Sequence, residues 1–109
     1  MSVILPPPVD RYVGIENSGD VDALSECFAP NATVRDEGHR YQGLAAIKEW
    51  KADTKKKYRH TVVPLEVARR DGKTVLKASL SGSFRGSPVT LEFSFVLEER
   101  KIVSLQIHS

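Results

Sequence analysis

The chain has 109 residues, 40% of them apolar and 28% charged, with a formal net charge of +2. That length suits one domain with little room for a second, and the balance predicts a folded, soluble chain rather than a disordered one. No apolar run approaches a membrane span, and a single cysteine, Cys27, excludes an internal disulfide and a cysteine-rich metal site.

The first residues, MSVILPPPVDRY, carry a short apolar patch without a basic leader or a small-residue cleavage site. A secretory signal is therefore not expected, and a cytoplasmic setting is. Residues 1–7 read as an arm on one domain covering 1–109. Pro8 can open a helix running to about Ser18, with Val9, Tyr12, Val13 and Glu16 along one side. Gly19 stops it. Asp20 can cap a second helix whose packing face is Ala23, Leu24, Cys27 and Phe28, broken by Pro30 and Asn31.

ATVRD then reads as extended, Asp36-Glu37-Gly38 as a turn, and HRYQG as a second short extended piece. A third helix is expected from Leu44 to about Lys57, with Leu44, Ile47 and Trp50 on one side. There the Lys51 stem would cover apolar area while its charge stays in water. The cationic run KADTKKKYRH, Lys51 to His60, reads as a solvated helix end. A nucleic-acid surface would need a wider basic face.

Beyond Tyr58 the texture becomes strand-like. Asp71-Gly72 is a hairpin turn, and short links at Arg85–Pro88 and Glu99-Arg100 favour antiparallel neighbours. Pro64 belongs at an edge or a bulge, because it has no amide to donate. Leu91, Phe93, Phe95 and Leu97 share one strand face; so do Leu76, Ala78 and Leu80, and then Val103, Leu105 and Ile107. Ser79, Ser81 and Ser83 lie on the opposite, semi-polar face. These features predict an α+β fold with three N-terminal helices packed on a strongly curved antiparallel sheet.

Several side chains have two readings. Asp36 is either a turn carboxylate or, beside apolar walls, a base with a raised pKa. Tyr12 is either a wall residue or a donor to a carbonyl oxygen. His39, three residues from Asp36, is a loop histidine or a proton-transfer partner. Trp50 and Tyr58 read as wall or core. Three dispersed histidines give no zinc pattern, and no phosphate-binding glycine loop or nucleophile elbow is present. Neither metal nor organic cofactor is expected.

The stretches RYVGIENSGDVDALSECFAPNATVRD, YQGLAAIKEW and SGSFRGSPVTLEFSFVLEERKIVSL, in this order, resemble the nuclear transport factor 2-like superfamily. The SnoaL-like and ketosteroid isomerase-like branch is the most similar. The resemblance implies a cone-shaped fold with a deep apolar pocket and a homodimer paired through the open sheet face. By position it implies that Asp36 shuttles a proton and that Tyr12 donates to the developing oxyanion. His39 stands near Asp36, while Trp50, Tyr58, Leu91, Phe93 and Phe95 would face a ligand. The isomerases carry a second acid where this chain has Leu91, which cannot donate a hydrogen bond.

The expected function is binding of a small hydrophobic carbonyl compound, with isomerase-like proton transfer. Two alternatives stand beside it: a non-catalytic ligand-binding or dimeric interaction module, and a hydrolase or dehydratase in which Asp36, with His39, activates water. No nucleic-acid or membrane partner is expected.

Overall fold

Two prolines open the first helix, α1 (Pro7–Ser18), where their missing amides have no helical partner to lose. It closes at Gly19, whose positive φ of 79° lets its N–H return to the Ile15 carbonyl at 2.8 Å. The computed structural model describes residues 3–108. Of the expected arm, Met1 and Ser2 lie outside the described residues, and Pro7 is already helical.

The remaining elements are a 3-10 helix (Val21–Glu26), β1 (Phe28–Asp36), β2 (His39–Gln42), α2 (Leu44–Tyr58), β3 (Thr61–Arg70), β4 (Lys73–Ser81), β5 (Val89–Glu98) and β6 (Lys101–His108). The six strands form one sheet in the order β2-β1-β6-β5-β4-β3.

The expected strongly curved antiparallel sheet under three helices is corrected here. The sheet is mixed, because β1 and β6 run parallel. It is open, with β2 and β3 as its edges, and is neither closed nor strongly curved. Short hairpin links fix the pairing of neighbouring strands, but β1 and β6 meet across most of the chain, and no local signal specifies their direction.

The second helix is also different. It is a six-residue 3-10 segment burying Ala23 and Leu24. Phe28 already belongs to β1, so Pro30 and Asn31 lie inside a strand. The ladder accommodates them by a shift: Phe28 stands opposite Ile102, but Thr33 stands opposite Ser104. The extra β1 residues bow out of the ladder, so Pro30 has no donor position to fill.

Two further bulges place side chains. In β3, an edge strand, the register shifts between Pro64 and Glu66. In β6 it shifts opposite Val96 and Leu97, so Ile102 joins Leu105 in the buried set and Val103 is only partly covered. The helices cover one sheet face. There Val9, Tyr12 and Val13 from α1 and Ile47 and Trp50 from α2 pack with Leu76, Ala78, Phe93, Phe95 and Leu105. Tyr12 meets Phe28 and Phe95 edge-on, with ring centroids 5.8 and 5.6 Å apart, an arrangement that favours the aromatic quadrupoles. Among the described residues no helix is long and apolar enough to cross a membrane.

Candidate functional site

Asp36 is the last residue of β1. The chain reverses immediately through Glu37 and Gly38, with φ of 52° and 78°, a left-handed pair that matches the twist of a two-residue hairpin. This turn holds the half-buried Asp36 over α2, where the Trp50 indole N–H donates to its Oδ2 at 3.1 Å. Burial raises the Asp36 pKa, against the lowering effect of that indole bond.

A cavity of about 570 Å³ opens beside this carboxylate, lined by Asp36, Tyr58, Leu80, Phe84, Leu91 and Ile107 among others. The Tyr58 hydroxyl donates to Glu37 Oε1 at 3.0 Å, and its ring meets Phe84 edge-on at 5.9 Å. A recess of about 70 Å³ shares Asp36, Glu37, Tyr58, Leu80, Leu91 and Ile107 with the cavity. It adds Glu16, Trp50, Lys51, Thr54, His60 and Phe93. An apolar cavity with a few converging polar groups is the usual form of a small-molecule site.

The other anticipated residues fall in different places. Tyr12 is fully buried, lines neither space, and gives its hydroxyl proton to Glu16 Oε2. Burial, then the Glu16 charge, lifts the Tyr12 pKa well above the ordinary tyrosine value. Phe95 is likewise sealed in the core, stacked on Phe93 at 6.4 Å. His39 is the backbone partner of Asp36 across the hairpin, but it is exposed and lies near Tyr41, outside cavity and recess. Asp36, Trp50, Tyr58, Leu91 and Phe93 therefore meet around one space, and Tyr12, His39 and Phe95 do not border it.

Sequence reasoning missed a buried ionic cluster behind the recess. Glu16 Oε1 accepts from Lys51 Nζ at 2.7 Å and lies 2.6 Å from His60 Nε2. Lys51 is only 2% exposed, so its charge does not stay in water as anticipated. Instead it lies 3.9 Å from the Trp50 ring centroid, a cation–π contact. Burial alone would raise the Glu16 pKa. The Lys51 charge and the His60 contact outweigh it and bring it down to about 2. Lys55 Nζ ties the same region together by donating to the carbonyls of Glu16 and His60.

The segment after β4 presses on this junction. A Cβ on Gly82 would fall 2.5 Å from the Tyr58 carbonyl oxygen and 2.9 Å from His60 Cα, so only glycine permits the approach. The available sequence signal was placement: Glu16 lies one turn beyond Tyr12 on the packed side of α1, and Lys51 follows Trp50. Nothing local linked either to His60. Among the described residues no group of three His, Cys, Asp or Glu side chains is placed to hold a metal ion.

The model of the SnoaL-like domain matches residues 9–104. A Sinorhizobium meliloti protein provisionally described as a polyketide cyclase is 43% identical, with a TM-score of 0.90 and 95% of each chain covered. A Catenulispora acidiphila protein with a ketosteroid isomerase-like fold, solved in complex with trimethylamine, is 21% identical. Its TM-score is 0.84, covering 97% of this chain and 87% of that one. A Jannaschia protein provisionally described as a SnoaL-like polyketide cyclase is 19% identical, with a TM-score of 0.77, over 93% of this chain and 81% of that one. No curated protein matches. A Cytophaga hutchinsonii nuclear transport factor 2-like protein, 14% identical with a TM-score of 0.77 over 99% of this chain and 91% of that one, shares the fold. With the family model spanning most of its length, the chain belongs to the SnoaL-like domain family.

Proposed function

We propose that the cavity binds a small hydrophobic carbonyl compound and that Asp36 moves a proton at the carbon next to the carbonyl. The observation that carries this reading is the setting of Asp36. It is half-buried where the larger cavity meets the smaller recess that Glu16, Lys51 and His60 line, and among the described residues only its Oδ2 is engaged, by Trp50. Oδ1 is left to accept a proton. Its raised pKa makes the carboxylate a stronger base than an ordinary surface aspartate.

In the proposed step the carboxylate takes the carbon-bound proton, the C–H electron pair forms a carbon–carbon double bond, and the carbonyl π pair moves to oxygen. Protonated Asp36 then returns the proton to the same or another carbon. Leu91 and Phe93 form the apolar wall, Tyr58 borders the mouth, and His39 flanks the hairpin from outside. Tyr12 acts through Glu16 rather than on the ligand. The relative in complex with trimethylamine supports a fold able to accept a small organic molecule.

The test is thermal stabilisation of wild type and Asp36→Asn by a panel of enones, aromatic ketones, ketosteroids and lactones. Ligand binding to the folded state raises its melting temperature. Stabilisation by ketones in both proteins, with turnover only in wild type, is expected. Turnover that survives in Asp36→Asn rejects the base.

A second copy of the chain is proposed on the uncovered sheet face, where Ser79, Ser94 and Ser104 keep the surface low. Sedimentation at micromolar concentration should give a dimer mass. A monomer mass rejects the pairing.

A further inference from the structure

The reaction proposed above places negative charge on the carbonyl oxygen, and that charge needs a donor. Leu91 has none to give, and the Tyr12 hydroxyl is sealed in the core and bonded to Glu16. The recess supplies another group. Lys51 lies on its wall with one N–H on Glu16 Oε1 at 2.7 Å, and an ammonium carries three such donors. His60 lies on the same wall, is 3% exposed, and its Nδ1 has no hydrogen-bond partner among the described residues. A buried polar atom without a partner is uncommon and points to a group that arrives from outside. The recess, about 70 Å³, has room for a polar head but not for an apolar body.

We infer that the recess is the oxygen-binding subsite for the carbonyl compound, and that Lys51 donates to that oxygen as it becomes an enolate. This rests on the proposed function and adds a residue to it. The groups facing Lys51 are Glu16 and the Tyr12 ring from α1, the Trp50 ring from α2, His60 before β3, and Asp36 from β1. Glu16 is the positioning residue: it accepts from Tyr12 and Lys51 and pairs with His60, holding the ammonium at the recess wall. Taking the proton makes Asp36 neutral, so the enolate replaces its negative charge and shares the Lys51 ammonium with the Glu16 carboxylate, with Glu37 also on the lining. The ammonium keeps its proton throughout, and no other reactant enters.

The test uses 2-naphthol, an apolar ring carrying an oxygen that can ionise, with absorbance reporting which form is bound. Asp36→Asn supplies the neutral side chain that Asp36 has after taking the proton. With Lys51 in contact, Asp36→Asn should bind naphtholate about tenfold or more tightly than neutral naphthol. Adding Lys51→Met should abolish the preference while the ring still binds. If that variant does not fold, Asp36→Asn/Glu16→Gln/Lys51→Met replaces it, because it removes the two paired charges together. A bound naphthol that stays neutral in Asp36→Asn, or a preference that survives Lys51→Met, overturns the assignment of Lys51 and leaves the cavity reading standing. No naphthol binding by wild type or Asp36→Asn overturns the cavity reading, and this inference with it.

Discussion

Helix α1 carries two ion pairs of similar length and opposite consequence. Arg11 reaches Glu26 at 2.5 Å with both side chains more than half exposed, while Glu16 meets Lys51 at 2.7 Å with both almost fully buried. Distance does not separate them. At the surface, water and salt screen the attraction, and holding two long side chains still offsets much of the gain. In the core neither charge can return to water, so each depends on the other. The exposed pair is surface decoration on α1. The buried one fixes how α1, α2 and the start of β3 meet behind the recess.

Breaking the buried pair should have the largest effect. Lys51→Met leaves the Glu16 carboxylate without its ammonium and is expected to cost about 3–5 kcal/mol, measurable by urea unfolding. The Glu16→Gln/Lys51→Met pair removes both charges and should cost clearly less than the two single changes added together. Additive costs would show that the two groups do not act as a pair.

Acid should find the same cluster. The Glu16 pKa is depressed from 4.5 to about 2, so its stabilising contribution is fully present above pH 4.5 and is lost as pH falls toward 2. That shift corresponds to about 3 kcal/mol. Glu16→Gln should flatten the stability curve within that window, as followed by circular dichroism. A curve as steep as wild type would contradict the assignment of Glu16.

Asp36 has the opposite sign. Its folded pKa is raised, so its ionisation lowers stability as pH climbs from the ordinary aspartate value through the folded one. Proton transfer, in contrast, should strengthen over the same climb. Trp50→Phe deletes the bond that holds the carboxylate's pKa down, and should push it up further. Carbon-13 NMR of the Asp36 carboxyl group would show the direction. The smallest effect is expected at the surface: Arg11→Ala should change stability by no more than about 0.5 kcal/mol and should lose even that at high salt.

The same contrast explains what the sequence could disclose. Alternation in β5 set Phe93 and Phe95 inward because a strand's two faces are separated by one residue. Asp71-Gly72 announced its hairpin through the backbone angles it permits. These signals are local. The parallel β1–β6 ladder is not, and Pro30 disguised the start of β1 because a bulge inside a strand and the end of a helix favour the same residue. At the site, the turn at Asp36 was legible, and its bond to Trp50, fourteen residues on, was not. Lys51 and His60 lie 35 and 44 residues from Glu16, the carboxylate they share, and nothing local joins the three. Only folding around the recess makes them a unit.

Proton exchange at the carbon next to a carbonyl is the sharpest test of Asp36 as a base. 1-Tetralone would be incubated in heavy water with wild type and with Asp36→Asn, and deuterium at that carbon followed by NMR. Wild type should accelerate deuterium entry over buffer, and Asp36→Asn, while still binding the ketone, should not. Ketone bound by wild type with exchange no faster than in buffer would contradict that role.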